Sequence, residues 1–196
     1  MKRTRHLLLL ISLSLIAAAN PMRGTTVIPP TFDELVDQAD FIFQGEVTTV
    51  KSEWIGEGAQ RHIMSYVTFK VGDAIKGSPG QNYTIRMLGG TVDGESMGVS
   101  DAPKFEVGDQ DILFVQNNGS QFIPLVGIMH GRFHVRRNEA GQEIITNHED
   151  EPVRNLARLG NPNAVELPNE NDLTPAEFKA AVRSRIESSS RAQQSN

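Results

Sequence analysis

Gly94-Glu95-Ser96-Met97-Gly98 reproduces the G-x-S-x-G spacing with which serine hydrolases present a nucleophile. That chemistry needs a strand, a sharp turn at the serine and a helix behind it to expose the hydroxyl. Here Val99-Ser100-Asp101-Ala102-Pro103 follows, which cannot open a useful helix, so Ser96 is expected to be a loop serine. His130 and His134 stand four apart, the spacing that converges on zinc from a helix face. Gly127, Gly131, Phe133 and Val135 around them favour a strand, in which four residues cover about 13 Å, too far for two bonds of about 2 Å to one ion. His62 and His148 have no neighbours at ligand spacing and read as surface or strand histidines. Asp93, Glu95, Asp101, Glu106, Asp109 and Asp111 offer hard oxygen ligands of the kind calcium prefers, but not at the spacing of an EF-hand loop, so they are read as solvated turn acids. A glycosidase pair among them has nothing in the sequence to set its separation. Cysteine is absent, which removes thiol nucleophiles, disulfides and thiolate zinc sites. No catalytic residue, metal or cofactor is expected. Trp54, the one tryptophan, reads as core or barrel rim, with a ligand platform as the alternative.

The N-terminus points to export. Lys2, Arg3 and Arg5 precede the apolar run 7–16 and then Ala17, Ala18 and Ala19, the three-part pattern of a secretory signal peptide, with cleavage expected after Ala19. About ten apolar residues make about 15 Å of helix against roughly 30 Å of hydrocarbon, so an uncleaved anchor is the poorer reading. Loss of residues 1–19 removes three basic residues and no acidic ones and takes the formal charge from −5 to −8. An acidic exported domain repels phosphate backbones, and no basic face is visible, so nucleic acid is not an expected partner. No later segment is apolar enough to span a membrane. A secreted or periplasmic location follows from this reading.

The elements that must position these side chains are mostly strands. After an extended lead-in over 20–30, Thr31 and Glu34 form a capping box for a short helix over 32–39. From Phe41 the apolar period becomes two, with Phe41, Phe43, Gly45 and Val47 on one face, and Gly45 suggests a bulge. Further strands are expected over 61–74, 83–87 and 111–115, then as a long bent strand over 122–129 and 132–136, and as a small one over 143–146. The stretch 89–110 is the longest irregular one, with five glycines and five acids, and long loops in small domains tend to carry function. Residues 147–172 read as an irregular excursion. Thr174-Pro175-Ala176-Glu177 opens a C-terminal helix over 173–187 with Phe178, Val182 and Ile186 on one stripe, and 188–196 reads as a disordered polar tail.

Three stretches taken in order carry a resemblance: Ala39-Asp40-Phe41-Ile42-Phe43-Gln44-Gly45-Glu46-Val47, then Val67-Thr68-Phe69-Lys70-Val71 with Ile75-Lys76-Gly77, then Phe105-Glu106-Val107-Gly108-Asp109 leading into Ile112-Leu113-Phe114. The order resembles that of bacterial exported proteins whose core is similar to the netrin-like OB barrel of tissue inhibitors of metalloproteinases. The resemblance covers roughly residues 33–137. It implies a protease-companion or inhibitor role. Those inhibitors block the catalytic zinc with the amino group of an N-terminal cysteine, whereas this chain has none and Asn20 follows the expected cleavage site, so no inhibitory ligand is carried over.

Together these readings predict a mainly β domain over 31–146, a small OB-like closed barrel of five to six strands with a short N-terminal and a C-terminal helix. Its expected function is non-enzymatic recognition of a protein partner, a zinc metalloprotease among the candidates. The contact loop is expected to include Gly89, Gly90, Asp93, Glu95, Asp101 and Phe105. The alternatives are an exported hydrolase or metal-dependent enzyme using residues 89–110, and a structural envelope module.

Overall fold

The computed structural model describes residues 28–99, 102–161, 163–165 and 170–194. The expected cleavage site at Ala19 and the loop residue Asp101 lie outside them.

Helix α1 spans Phe32–Gln38 and starts as its sequence dictates. The Thr31 amide donates to Glu34 Oε2 at 2.8 Å while the Glu34 amide donates to Thr31 Oγ1 at 3.3 Å, satisfying two amides that the helix leaves free. Strands β1 (Phe41–Ile55) and β2 (His62–Lys76) form a long antiparallel arm, followed by β3 (Asn82–Leu88). A small hairpin comes next, β4 (Gly90–Val92) with β5 (Glu95–Met97), inside the stretch expected to be irregular. Then come β6 (Gln110–Val115), β7 (Arg132–Arg137) and β8 (Glu143–Thr146), and helix α2 spans Pro175–Gln194. The bulge suggested by Gly45 is present: the β1–β2 register shifts between Gln44 and Gly45.

The six long strands form one antiparallel sheet in the order β3-β2-β1-β6-β7-β8. The sheet is not closed into the expected barrel, and β3 and β8 are its ends. The segment that was to continue the bent strand, 122–129, is the reason. It touches the ladder at a single bridge, Val115 with Leu125, because Pro124 has no amide to give and Ile128 sits at φ 63°, outside extended geometry. The segment instead swings across to the outer edge of β3. There the Leu88 amide donates to the Phe122 carbonyl at 2.8 Å. The Asn118 side chain completes the cover, accepting from the Arg86 amide at 3.0 Å and donating to the Thr84 carbonyl at 2.8 Å. The edge of β8 is covered in turn by residues 152–153, with the Val153 amide on the Ile145 carbonyl and the Ile145 amide on the Leu173 carbonyl.

The period-two alternation gives the sheet an apolar layer on each face. One layer joins Ile42, Ile112, Phe114, Phe133, Val135 and Ile145 to Leu35 and Val36 of α1 and to Phe178 and Val182 of α2. The other holds Phe43, Val47, Val67, Phe69, Ile85, Leu113 and Val115, closed over by Phe105, Ile123 and Leu125. Helix α2 begins at the second capping box, with the Thr174 amide on Glu177 Oε2 at 3.0 Å. It runs on through 188–194, where a disordered tail was expected; Ser189 reaches back to Asp37 of α1 at 3.1 Å, and Arg185 pairs with Asp33 and Asp37.

Candidate functional site

Asp111 is the one acid in the apolar run of β6, and it is fully buried. It faces the side of the sheet away from the helices, since Leu113 and Val115, two and four residues on, belong to the layer there. Cross-strand register places His134 of β7 directly opposite it, with Arg132 two residues away on the same face. His134 Nδ1 lies 2.8 Å from Asp111 Oδ1. Arg132 Nε donates to Asp111 Oδ2 at 3.0 Å, its Nη2 donates to Asp109 Oδ2 at 2.7 Å, and its Nη1 donates to the Lys104 carbonyl. The guanidinium also stacks on the Phe105 ring, 3.9 Å from its centroid. A buried carboxylate demands such partners, because an isolated charge inside a protein costs several kcal/mol.

The cluster floors an open cleft of about 710 Å³ lined by Lys104, Glu106, Asp109, Arg136, His148 and Glu149 as well as by Arg132 and His134. Asp111 occupies Nδ1 of His134, which leaves Nε2 as the ring nitrogen toward the cleft. Burial pushes the Asp109 carboxyl up, but the Glu106 amide and the Arg132 guanidinium more than offset this and hold it below the usual carboxylate range. At the rim the His130 and His148 rings meet edge to face at 4.6 Å. His130 is held below the usual imidazole range by burial first and then by His148, with Glu149 opposing. His130 lies in the turn before β7 with its ring against His148, while His134 lies in β7 against Asp111. Among the described residues no group of three or more His, Asp or Glu is placed to hold a metal ion.

A second groove of about 630 Å³ adjoins the first, the two sharing Ala102, Pro103 and Lys104. Its walls are the β4–β5 hairpin and Phe105, and its floor is Val50, Ser52, Ser65, Val67 and Met87. The hairpin is seated by Gly90, at φ 137°, where any side chain would fall on the Ser52 and Ser65 hydroxyls beneath. The Gly89 amide donates to the Ile63 carbonyl at 2.8 Å and its carbonyl accepts from Ser65 Oγ at 2.6 Å.

The six loop residues named from sequence thus separate into distinct places. Gly89 and Gly90 are the seat of the hairpin, Asp93 and Glu95 are exposed at its tip, and Phe105 is buried between Phe69 and Arg132. Phe105 packs into the core layer and also forms part of the groove wall. Ser96 lies in strand β5, its hydroxyl 2.8 Å from that of Thr91, without the strand-turn-helix setting of a hydrolase serine. Trp54 ends the β1–β2 arm, half-buried, with Arg61 stacked 3.9 Å over its ring. The Asp111-Arg132-His134 cluster is not legible in the sequence because Asp111 lies 21 and 23 residues from its two partners. The signal that marks them is Asp111 within the apolar run of β6, and Arg132 and His134 alternating with Phe133 and Val135 in β7. Among the described residues no helix is long and apolar enough to cross a membrane. Compared with family models, curated proteins and solved structures, the chain matches none.

Proposed function

We propose that the protein is an exported recognition domain of OB-like, netrin-like build that binds a protein partner with the shelf formed by residues 89–99 and 102–105. The observation that supports this reading is the groove beneath that shelf. It combines apolar floor residues Val50, Val67 and Met87 with the hydroxyls of Ser52, Ser65, Thr91 and Ser96, a mixture that suits a polypeptide segment. The acidic tip, Asp93 and Glu95, stands free beside it. A zinc metalloprotease exported from the same cell is the partner proposed, following the resemblance of the strand order. Pull-down and inhibition assays with the matured chain test it. The expected result is a complex at micromolar concentration that Ser96→Trp, which fills the groove mouth, and Glu95→Lys, which reverses the tip charge, each weaken about tenfold, or about 1.4 kcal/mol. No complex and no inhibition, or binding indifferent to both substitutions, refutes the proposal.

A second reading rests on His134. An imidazole oriented by a buried carboxylate, with its other nitrogen toward a cleft, is the arrangement of a general base, and it favours an exported hydrolase. Hydrolysis of a substrate panel that His134→Gln abolishes would support it, and activity unchanged by that substitution would end it.

A further inference from the structure

Beyond Glu46, strand β1 continues to Ile55 with β2 along one side only; its pairing with β6 ends at Glu46, and the main chain of residues 108–109 reaches β1 at Val47 and no further. The hairpin β4–β5 does not complete the ladder, because it pairs within itself and packs over the face of Ser52 and Ser65. Residues 48–55 therefore present a row of main-chain groups with no strand beside them among the described residues, whereas the edges of β3 and β8 are covered. Such an edge is a template for another strand.

We propose that this edge is a self-association surface, on which residues 48–55 of a second copy pair antiparallel about a two-fold axis at Ser52. The side chains select the occupant. In that register Lys51 stands opposite Glu53 of the second copy and Glu53 opposite its Lys51, both exposed and on one face. On the other face Val50, 38% exposed, stands opposite Trp54 of the second copy. Opposed unlike charges and an aromatic against a β-branched residue are the favourable cross-strand pairs. Centring the axis on Lys51 or on Glu53 sets like charges face to face, and shifting it to a point between residues turns charged side chains onto the apolar face. A single closed register is what a two-fold interface requires. Eight residues of ladder make a small interface, so the equilibrium belongs in the micromolar range.

Sedimentation equilibrium of the matured chain tests this. The expected result is a monomer–dimer equilibrium that K51E and E53K each weaken by about tenfold or more, and that the double exchange K51E/E53K restores, because the exchanged charges again meet as opposites. The chain has no cysteine, so the register is also read directly: K51C mixed with E53C should give the mixed disulfide in preference to either symmetric one, since directly opposed residues lie within bridging distance. A chain that stays monomeric at about 1 mM, where Lys51 and Glu53 act instead as guards against pairing, overturns the proposal. So does a dimer indifferent to the single substitutions, or one that the double exchange fails to restore. The partner-binding reading survives each of these outcomes, since the groove of one copy holds all the residues assigned to it.

Discussion

Arg132 shows how much one side chain can settle. It neutralises Asp111, anchors Asp109 and the Lys104 carbonyl, and covers Phe105. Arg132→Met keeps the length and the contact with Phe105 but strands the Asp111 carboxylate, and should cost about 3–5 kcal/mol in denaturant titration. His130 carries a separate prediction. The fold favours its neutral ring, so as the pH falls the unfolded chain takes up the proton first. Its contribution to stability is complete above about 6.5 and is lost as the pH drops from there through the lowered folded value. His148 and Glu149 are the titratable groups acting on it. His130→Gln should flatten the stability difference between pH 7.5 and pH 5.5 in urea titrations, while the wild type loses stability over that interval. At this scale the sequence showed the strand more readily than the cluster: Arg132 and His134 alternate with Phe133 and Val135 along β7. The Asp111 contacts are long-range and appear only once the β6–β7 register is known.

At the scale of elements, what was written locally was legible. Thr31 with Glu34 and Thr174 with Glu177 both form the boxes their spacing announces, and the alternation from Phe41 to Val47 became β1 with its bulge at Gly45. Two elements were misread for opposite reasons. Ile123 and Leu125 alternate like a strand, yet Pro124 and the left-handed Ile128 turn their backbone away from the ladder. The polar end of α2 looked unable to bury anything, and it is anchored by charge and hydroxyl contacts to Asp37 instead. The attachment of α2 rests on Phe178, fully buried against Phe114 and Phe133. Phe178→Ala should lower stability by about 3–5 kcal/mol. Thermal unfolding followed by helix circular dichroism and by Trp54 fluorescence then tells whether helix and sheet still melt together.

For the molecule as a whole, the two faces of the sheet differ in what covers them. Both helices pack on one, while both clefts, the β4–β5 hairpin and residues 102–106 occupy the other. The count of long strands and their order along the chain were readable from alternation, but closure was not, because it depends on whether residues 116–126 ladder or wander. They wander, and the outer side of β3 is fastened largely by Asn118. Its side-chain amide stands in for a peptide unit, offering one acceptor and one donor to a strand. Asn118 is followed by Gly119, the pair in which the next main-chain nitrogen most readily attacks the side chain and expels ammonia. Water opening the resulting imide would leave an aspartate or isoaspartate, and the aspartate would keep the acceptor and lose the donor, setting a carboxylate against the Thr84 carbonyl. The fastening of the outermost strand is thus also a point at which the ageing of the protein would be felt.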